Sequence, residues 1–180
     1  MQQRMQAVLI EVVQFVPTLM LAAGFVLSGE VDLALAGPRF LPAAVAAVAV
    51  VVALGWRRID QNPILMGSDL WLVLGALAFN LPIPPLAELL GRAGGAGLFA
   101  GALLAGAAHT ALSSRGYLGA DAPKSVVRAA STVLLVLTAL AMAWAWQHPD
   151  SVRLGAALPF ILLNVCRRVL GRLATRSGGS

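Results

Sequence analysis

Residues 40–56 read FLPAAVAAVAVVVALGW and are followed at once by Arg57 and Arg58. The run carries no charge, and Ala, Val and Leu make up nearly all of it. A helix that is apolar on every side belongs in lipid or in the middle of a large protein. About 20 such residues cross a hydrocarbon core of about 30 Å, and a tandem arginine pair is a common stop at the cytoplasmic surface. The run therefore predicts a transmembrane helix and sets the frame for the rest of the chain.

The composition agrees. Of 180 residues, 59% are hydrophobic and 12% charged, with a mean hydropathy of +0.83. Soluble domains carry about 25% charged residues. A chain this apolar cannot cover its own core with polar surface, so a bilayer must act as solvent for much of it. Six spans of about 20 residues leave only short connections and no room for a soluble catalytic domain.

Outward from residues 40–56 the chain divides into six apolar segments, at 7–27, 40–56, 64–81, 93–112, 126–146 and 152–170. The expectation is an all-α polytopic membrane protein, about six transmembrane helices in a compact bundle, forming one domain over residues 1–174. A small polar tail follows at 175–180. The first segment has a rival reading as a signal peptide, with Val26 and Ser28 as the small residues before a cut, but Glu11, Gln14 and Pro17 interrupt the compact apolar core that such a signal needs. The third ends in Leu-Pro-Ile-Pro-Pro at 81–85, where the prolines force an extended exit. Leu86 to Arg92 then reads as a short amphipathic segment at the interface, with Glu88 and Arg92 as an i, i+4 pair.

In the fourth segment Ala93, Gly97, Gly101 and Ala105 recur every four residues, a stripe along which backbones can approach closely. Packing inside the molecule is one use of it and a dimer interface another. Trp144 and Trp146 form an interfacial anchor at the end of the fifth segment, and Arg167 and Arg168 snorkel from the end of the sixth.

Orientation follows from the Lys/Arg distribution. With the N-terminus inside, ten fall on the cytoplasmic side, among them Arg57, Arg58, Arg115, Lys124 and Arg128, and three fall outside, Arg39, Arg92 and Arg153. That asymmetry puts both termini in the cytoplasm and the protein in a bacterial inner membrane, with anionic lipids at the basic face. The formal charge of +5 is therefore a topology and lipid signal, with no nucleic-acid partner implied. Residues 1–85 and 86–180 share no motif that would mark an inverted repeat.

Polar groups within the spans are the candidates for function, because each is costly in lipid unless paired. Glu11, Gln14, Asp69, His109, Arg128 and Asn164 fall in one layer toward the cytoplasmic face by this topology. Glu11, Gln14 and Thr18 share a helix face, as do Asp69 and Asn80. One reading is a polar cavity open to the cytoplasm, with Glu11 or Asp69 holding a proton or cation and Arg128 as counter-ion. The plainer one is pairing between helices or with headgroups. Cys166 is the sole cysteine, which excludes an intramolecular disulfide and a cysteine metal cluster. His109 and His148 fall on opposite sides, so they cannot ligate one haem, and no metal or other cofactor is expected. Metalloprotease, nucleophile-elbow, P-loop and C-x-x-C motifs are absent from the sequence.

An acid shortly before Phe15-Val16-Pro17, a Val/Ala-rich second helix ending in Trp56-Arg57-Arg58, a compact third helix and the stretch Leu98-Phe99-Ala100-Gly101-Ala102-Leu103-Leu104 come in that order. In this order of features the chain resembles the intracellular septation protein A family of small bacterial inner-membrane proteins. It departs from that family in lacking the aromatic and lysine-bearing loop signatures after the third helix and before the last. The resemblance implies a non-enzymatic envelope protein linked to division or wall synthesis. The expected function is thus a non-catalytic accessory or scaffold in an envelope complex, with a membrane-protein partner or a homodimer. The alternatives are a small transporter or channel using Glu11, Asp69 and Arg128, and a lipid-processing enzyme at a membrane face.

Overall fold

A computed structural model describes residues 2–28, 36–57, 59–149 and 151–177. Arg58, Asp150 and residues 178–180 of the polar tail lie outside them, as do the side chains of Arg4, Val26 and Ser28. Among the described residues the chain is helical throughout, without a strand. The helices are α1 (Gln2–Ser28), α2 (Ala36–Trp56), α3 (Pro63–Asn80), α4 (Pro84–Ala93), α5 (Ala96–Leu112), α6 (Lys124–Gln147) and α7 (Leu158–Ser177). A π-helical turn, Val152–Ala157, leads into α7.

Among the described residues, four helical segments are long and apolar enough to cross a membrane: Gly37–Trp56, Pro63–Asn80, Lys124–Gln147 and Arg153–Arg176. The pair α4–α5 makes a fifth if its two arms count as one span. In α1 the described apolar part, Leu9–Ala23, is shorter. The chain is accordingly a multi-pass membrane protein by the length and composition of its helices.

The break between α4 and α5 corrects the expected fourth helix. That helix does not start at Ala93. The two arms meet at 95°, with Gly94 at φ 47°, a left-handed conformation that ends a helix and suits glycine. Ala93 therefore closes α4 and drops out of the small-residue stripe. α4 starts at Pro84, two residues earlier than the interfacial segment read from sequence, because proline is well tolerated in a first turn that has no donors to lose. Its Glu88–Arg92 pair forms at 3.9 Å on the exposed side, while Leu90 is buried.

α3 is the central element, packed against both α2 and α5. Its contact with α5 is backbone to backbone. A Cβ on Gly67 would strike the main chain of Gly101 and Ala102, a Cβ on Gly101 would strike the Gly67 carbonyl, and one on Gly97 would fall on the Trp71 ring. The remaining stripe residues are thus used within the molecule. Around this crossing Ile64, Leu65, Phe99, Ala102, Leu134 and Phe160 form one buried cluster. Leu21, Phe40, Ala43, Ala47 and Leu72 form another between α1, α2 and α3. The outward apolar residues, such as Val45, Leu104, Leu140 and Ile161, are largely exposed, as lipid-facing side chains must be.

The connection from α5 to α6 is more than a loop. Tyr117 and Leu118 turn inward and are fully buried; the Tyr117 hydroxyl lies 3.1 Å from the Thr138 hydroxyl, and the Leu118 N–H donates to Ser131 Oγ at 3.3 Å.

Candidate functional site

The Pro63 end of α3 is where the buried polar groups gather. Asn62 caps this helix: its Oδ1 accepts from the Ile64 N–H at 3.1 Å, satisfying one of the donors a helix start leaves over. The Asn62 backbone N–H donates to Gln14 Oε1 at 3.0 Å, and its Nδ2 donates to Asn164 Oδ1 at 3.0 Å. Asn164 Nδ2 in turn donates to the Phe160 carbonyl at 2.9 Å. Gln14, Asn62 and Asn164 are all buried, so one asparagine ties α1, α3 and α7 together.

Beside this tie is a cavity of about 420 Å³, walled by Glu11 and Gln14 of α1, residues 59–63, His109 of α5, Ser113, Arg115, Gly116 and Gly119 of the connection, and Arg167 of α7. Arg168 Nη2 pairs with Glu11 Oε2 at 2.6 Å. Arg115 grips Asp121 with two hydrogen bonds, 2.7 and 3.0 Å, and also contacts Asp60, so it clasps the α2–α3 connection to the α5–α6 connection. The hydrogen bond donated to Asp121 and the charges of Asp60 and Asp121 strengthen the hold of the Arg115 guanidinium on its proton. His109 Nδ1 is spent on the Ala105 carbonyl at 3.2 Å.

Arg167 is different. One Nη1–H donates to the Leu118 carbonyl at 2.9 Å, yet its Nε is enclosed with no hydrogen-bond partner. Among the described residues it forms no ion pair, whereas Glu11 and Asp60 are engaged by Arg168 and Arg115. A guanidinium in a cavity wall that forms no ion pair is a fitting partner for a carboxylate or phosphate oxygen.

Of the residues the sequence put in one polar layer, Glu11, Gln14 and His109 line this cavity and Asn164 stands directly behind it through Asn62. Asp69 and Arg128 do not. Asp69, a buried side chain further along α3, borders a separate apolar cavity against α2 and α5. Arg128 is exposed on α6 and borders a smaller hollow with Thr110, Lys124 and Ser131. Among the described residues Arg128 forms no ion pair, and it borders neither the Asn62 cavity nor the one beside Asp69, so it is no counter-ion to either carboxylate. Asn80 is likewise spent, its Nδ2 donating to the Gly37 and Ala76 carbonyls.

Sequence reasoning missed Asn62, Asp60, Arg115 and Arg167 as members of one site. Asn62-Pro63 carried a usable signal, a capping residue before a proline at the first helical position. The place of Arg167 at the end of an apolar segment points to snorkelling, and its inward direction has no signature in the sequence.

Fold and site together define a multi-pass helical membrane protein with a one-sided polar cavity at its helix ends. No family model, curated protein or solved structure matches the chain. Among the described residues no group of three His, Cys, Asp or Glu side chains converges on a point.

Proposed function

We propose that this is a non-catalytic protein of the bacterial inner membrane that crosses the bilayer six times with both termini inside, and that it binds a small anionic solute in the Glu11–Asn62–Arg167 cavity as part of transport. The observation that carries the reading is Arg167, a guanidinium in the cavity wall whose Nε has no hydrogen-bond partner and which forms no ion pair among the described residues, the nearby Glu11 being paired with Arg168. The Gln14–Asn62–Asn164 tie holds the wall in place, as a solute site requires. The orientation rests on the basic residues that share this end, Arg115, Lys124, Arg167 and Arg168.

An accessory role in an envelope complex is the other reading, in line with the septation protein A resemblance. Gly97 and Gly101 are occupied by Trp71 and Gly67, so a partner would have to dock elsewhere than on their stripe.

Native mass spectrometry of the protein, extracted gently from its own membrane, tests the proposal. A retained small anion, lost in Arg167→Gln, is the result expected. A stoichiometric protein partner with an empty cavity would replace the transport reading with the accessory one.

A further inference from the structure

Asp69 and its surroundings make a second site, independent of the first. Its side chain is 3% exposed, and Oδ1 is enclosed without a hydrogen-bond partner. Its sequence neighbour Ser68 is satisfied locally, donating to the Leu65 carbonyl at 2.7 Å, and offers Asp69 nothing. The carboxyl borders a cavity of about 470 Å³ whose other walls are apolar, among them Val48 and Val52 of α2, Met66 and Val73 of α3, and Leu104 of α5. Val48, Val52 and Leu104 are 48%, 57% and 68% exposed on the lipid-facing side of the helices, so the cavity has its mouth toward the bilayer.

A carboxyl in such a place is expensive unless something complements it. A bare metal ion does not fit. Calcium, magnesium and their like need six or more oxygen ligands, and this wall offers one side-chain carboxyl and otherwise alkyl groups. An organic cation needs only the one carboxylate, provided the rest of its body is content among Val, Leu and Met. We infer that the lateral cavity between α2, α3 and α5 binds a hydrophobic cation from the bilayer, with its charge on Asp69 and its apolar body against Val48, Val52 and Leu104.

Tetraphenylphosphonium is the probe, titrated into the purified full-length protein in detergent, with triphenylphosphine oxide as a neutral companion of similar shape. Saturable binding of the cation is expected, weakened roughly tenfold or more in Asp69→Asn, which keeps the shape and removes the charge. Val48→Trp, which blocks the mouth from an exposed position, is expected to weaken it as well. Arg167→Gln is expected to leave it unchanged, which separates this site from the anion cavity. The inference is overturned if no saturable binding occurs, if the neutral compound binds equally well, or if Asp69→Asn binds like the wild type. Were Asp69→Asn not to fold, unchanged binding in a folded Val48→Trp would overturn it just as firmly.

Discussion

Asn62 and Asn164, more than a hundred positions apart in the chain, are joined by a hydrogen bond of 3.0 Å between buried side chains. The bond couples the start of α3 to the middle of α7, and through the Asn62 N–H it extends to Gln14 on α1. Three helices are thereby fixed at the wall of the polar cavity.

Asn62 does two jobs and Asn164 one toward this tie, so their losses should be unequal. Asn62→Ala removes the cap on Ile64, about 1 kcal/mol, and an interhelical hydrogen bond, again about 1 kcal/mol. Asn164→Ala removes the latter and, beside it, only a local bond to the Phe160 carbonyl within its own helix, which adds little. Unfolding in detergent should therefore give roughly 2 kcal/mol for the first and about 1 kcal/mol for the second. The double variant should cost little more than Asn62→Ala alone, because the shared bond is lost once. Equal single-variant losses would contradict the tie.

The glycines give a sharper contrast. Gly101→Leu puts a side chain into the Gly67 carbonyl, and Gly97→Leu puts one into Trp71, so both should abolish the α3–α5 packing. At Gly171 in α7, nothing lies within 4 Å of an added Cβ, and Gly171→Ala should be neutral or stabilising by up to about 1 kcal/mol. The yield of monodisperse protein and the melting temperature report all three.

Tyr117 is the sole tyrosine, so its ionisation can be followed directly in the near-ultraviolet. Burial pushes its hydroxyl from 10.0 up to about 12, against the opposing pull of the Thr138 hydrogen bond and the Arg167 charge. The folded pKa is above the unfolded one, so the neutral form belongs to the native state. This contribution to stability is complete below pH 10 and is lost as the pH rises from 10 toward 12. The tyrosinate absorbance of the folded protein should rise near pH 12, that of the unfolded protein near pH 10. In Tyr117→Phe this alkaline loss of stability should vanish. Titration of the folded protein at 10 would refute the buried position.

Sidedness is testable in whole cells on a Cys166→Ala background. Ser114→Cys, in the α5–α6 connection, should resist a membrane-impermeant thiol reagent until the cells are opened. Glu88→Cys, on the exposed side of α4, should react at once. The reverse pattern would invert the proposed orientation.

The helices themselves were readable because lipid imposes a one-dimensional rule: every backbone group must bond within its own segment, so apolar length alone reveals a span. Residues 40–56, 64–81 and 126–146 follow that rule, and α2, α3 and α6 occupy those stretches with ends shifted by a few residues. The break at Gly94 was less visible. Glycine is common within membrane helices, so Gly94 and Gly95 in an apolar run do not mark a break by themselves.

The site divided along the same line. That Glu11 and Gln14 share a helix face is a matter of period and needs no partner. Depth alone puts Asp69 and Arg128 in the same layer, and depth says nothing about direction around a helix axis.

What the sequence by itself determined is the class of the protein and the places of α2, α3 and α6, since each follows from a residue's affinity for water or lipid. Only the tertiary structure decided that Arg167 faces a cavity and Arg128 does not, that Gly101 meets Gly67, and that Asp69 stands alone among alkyl groups. Those outcomes depend on how each helix is rotated against its neighbours, and rotation is set by pairwise packing between segments far apart in the chain.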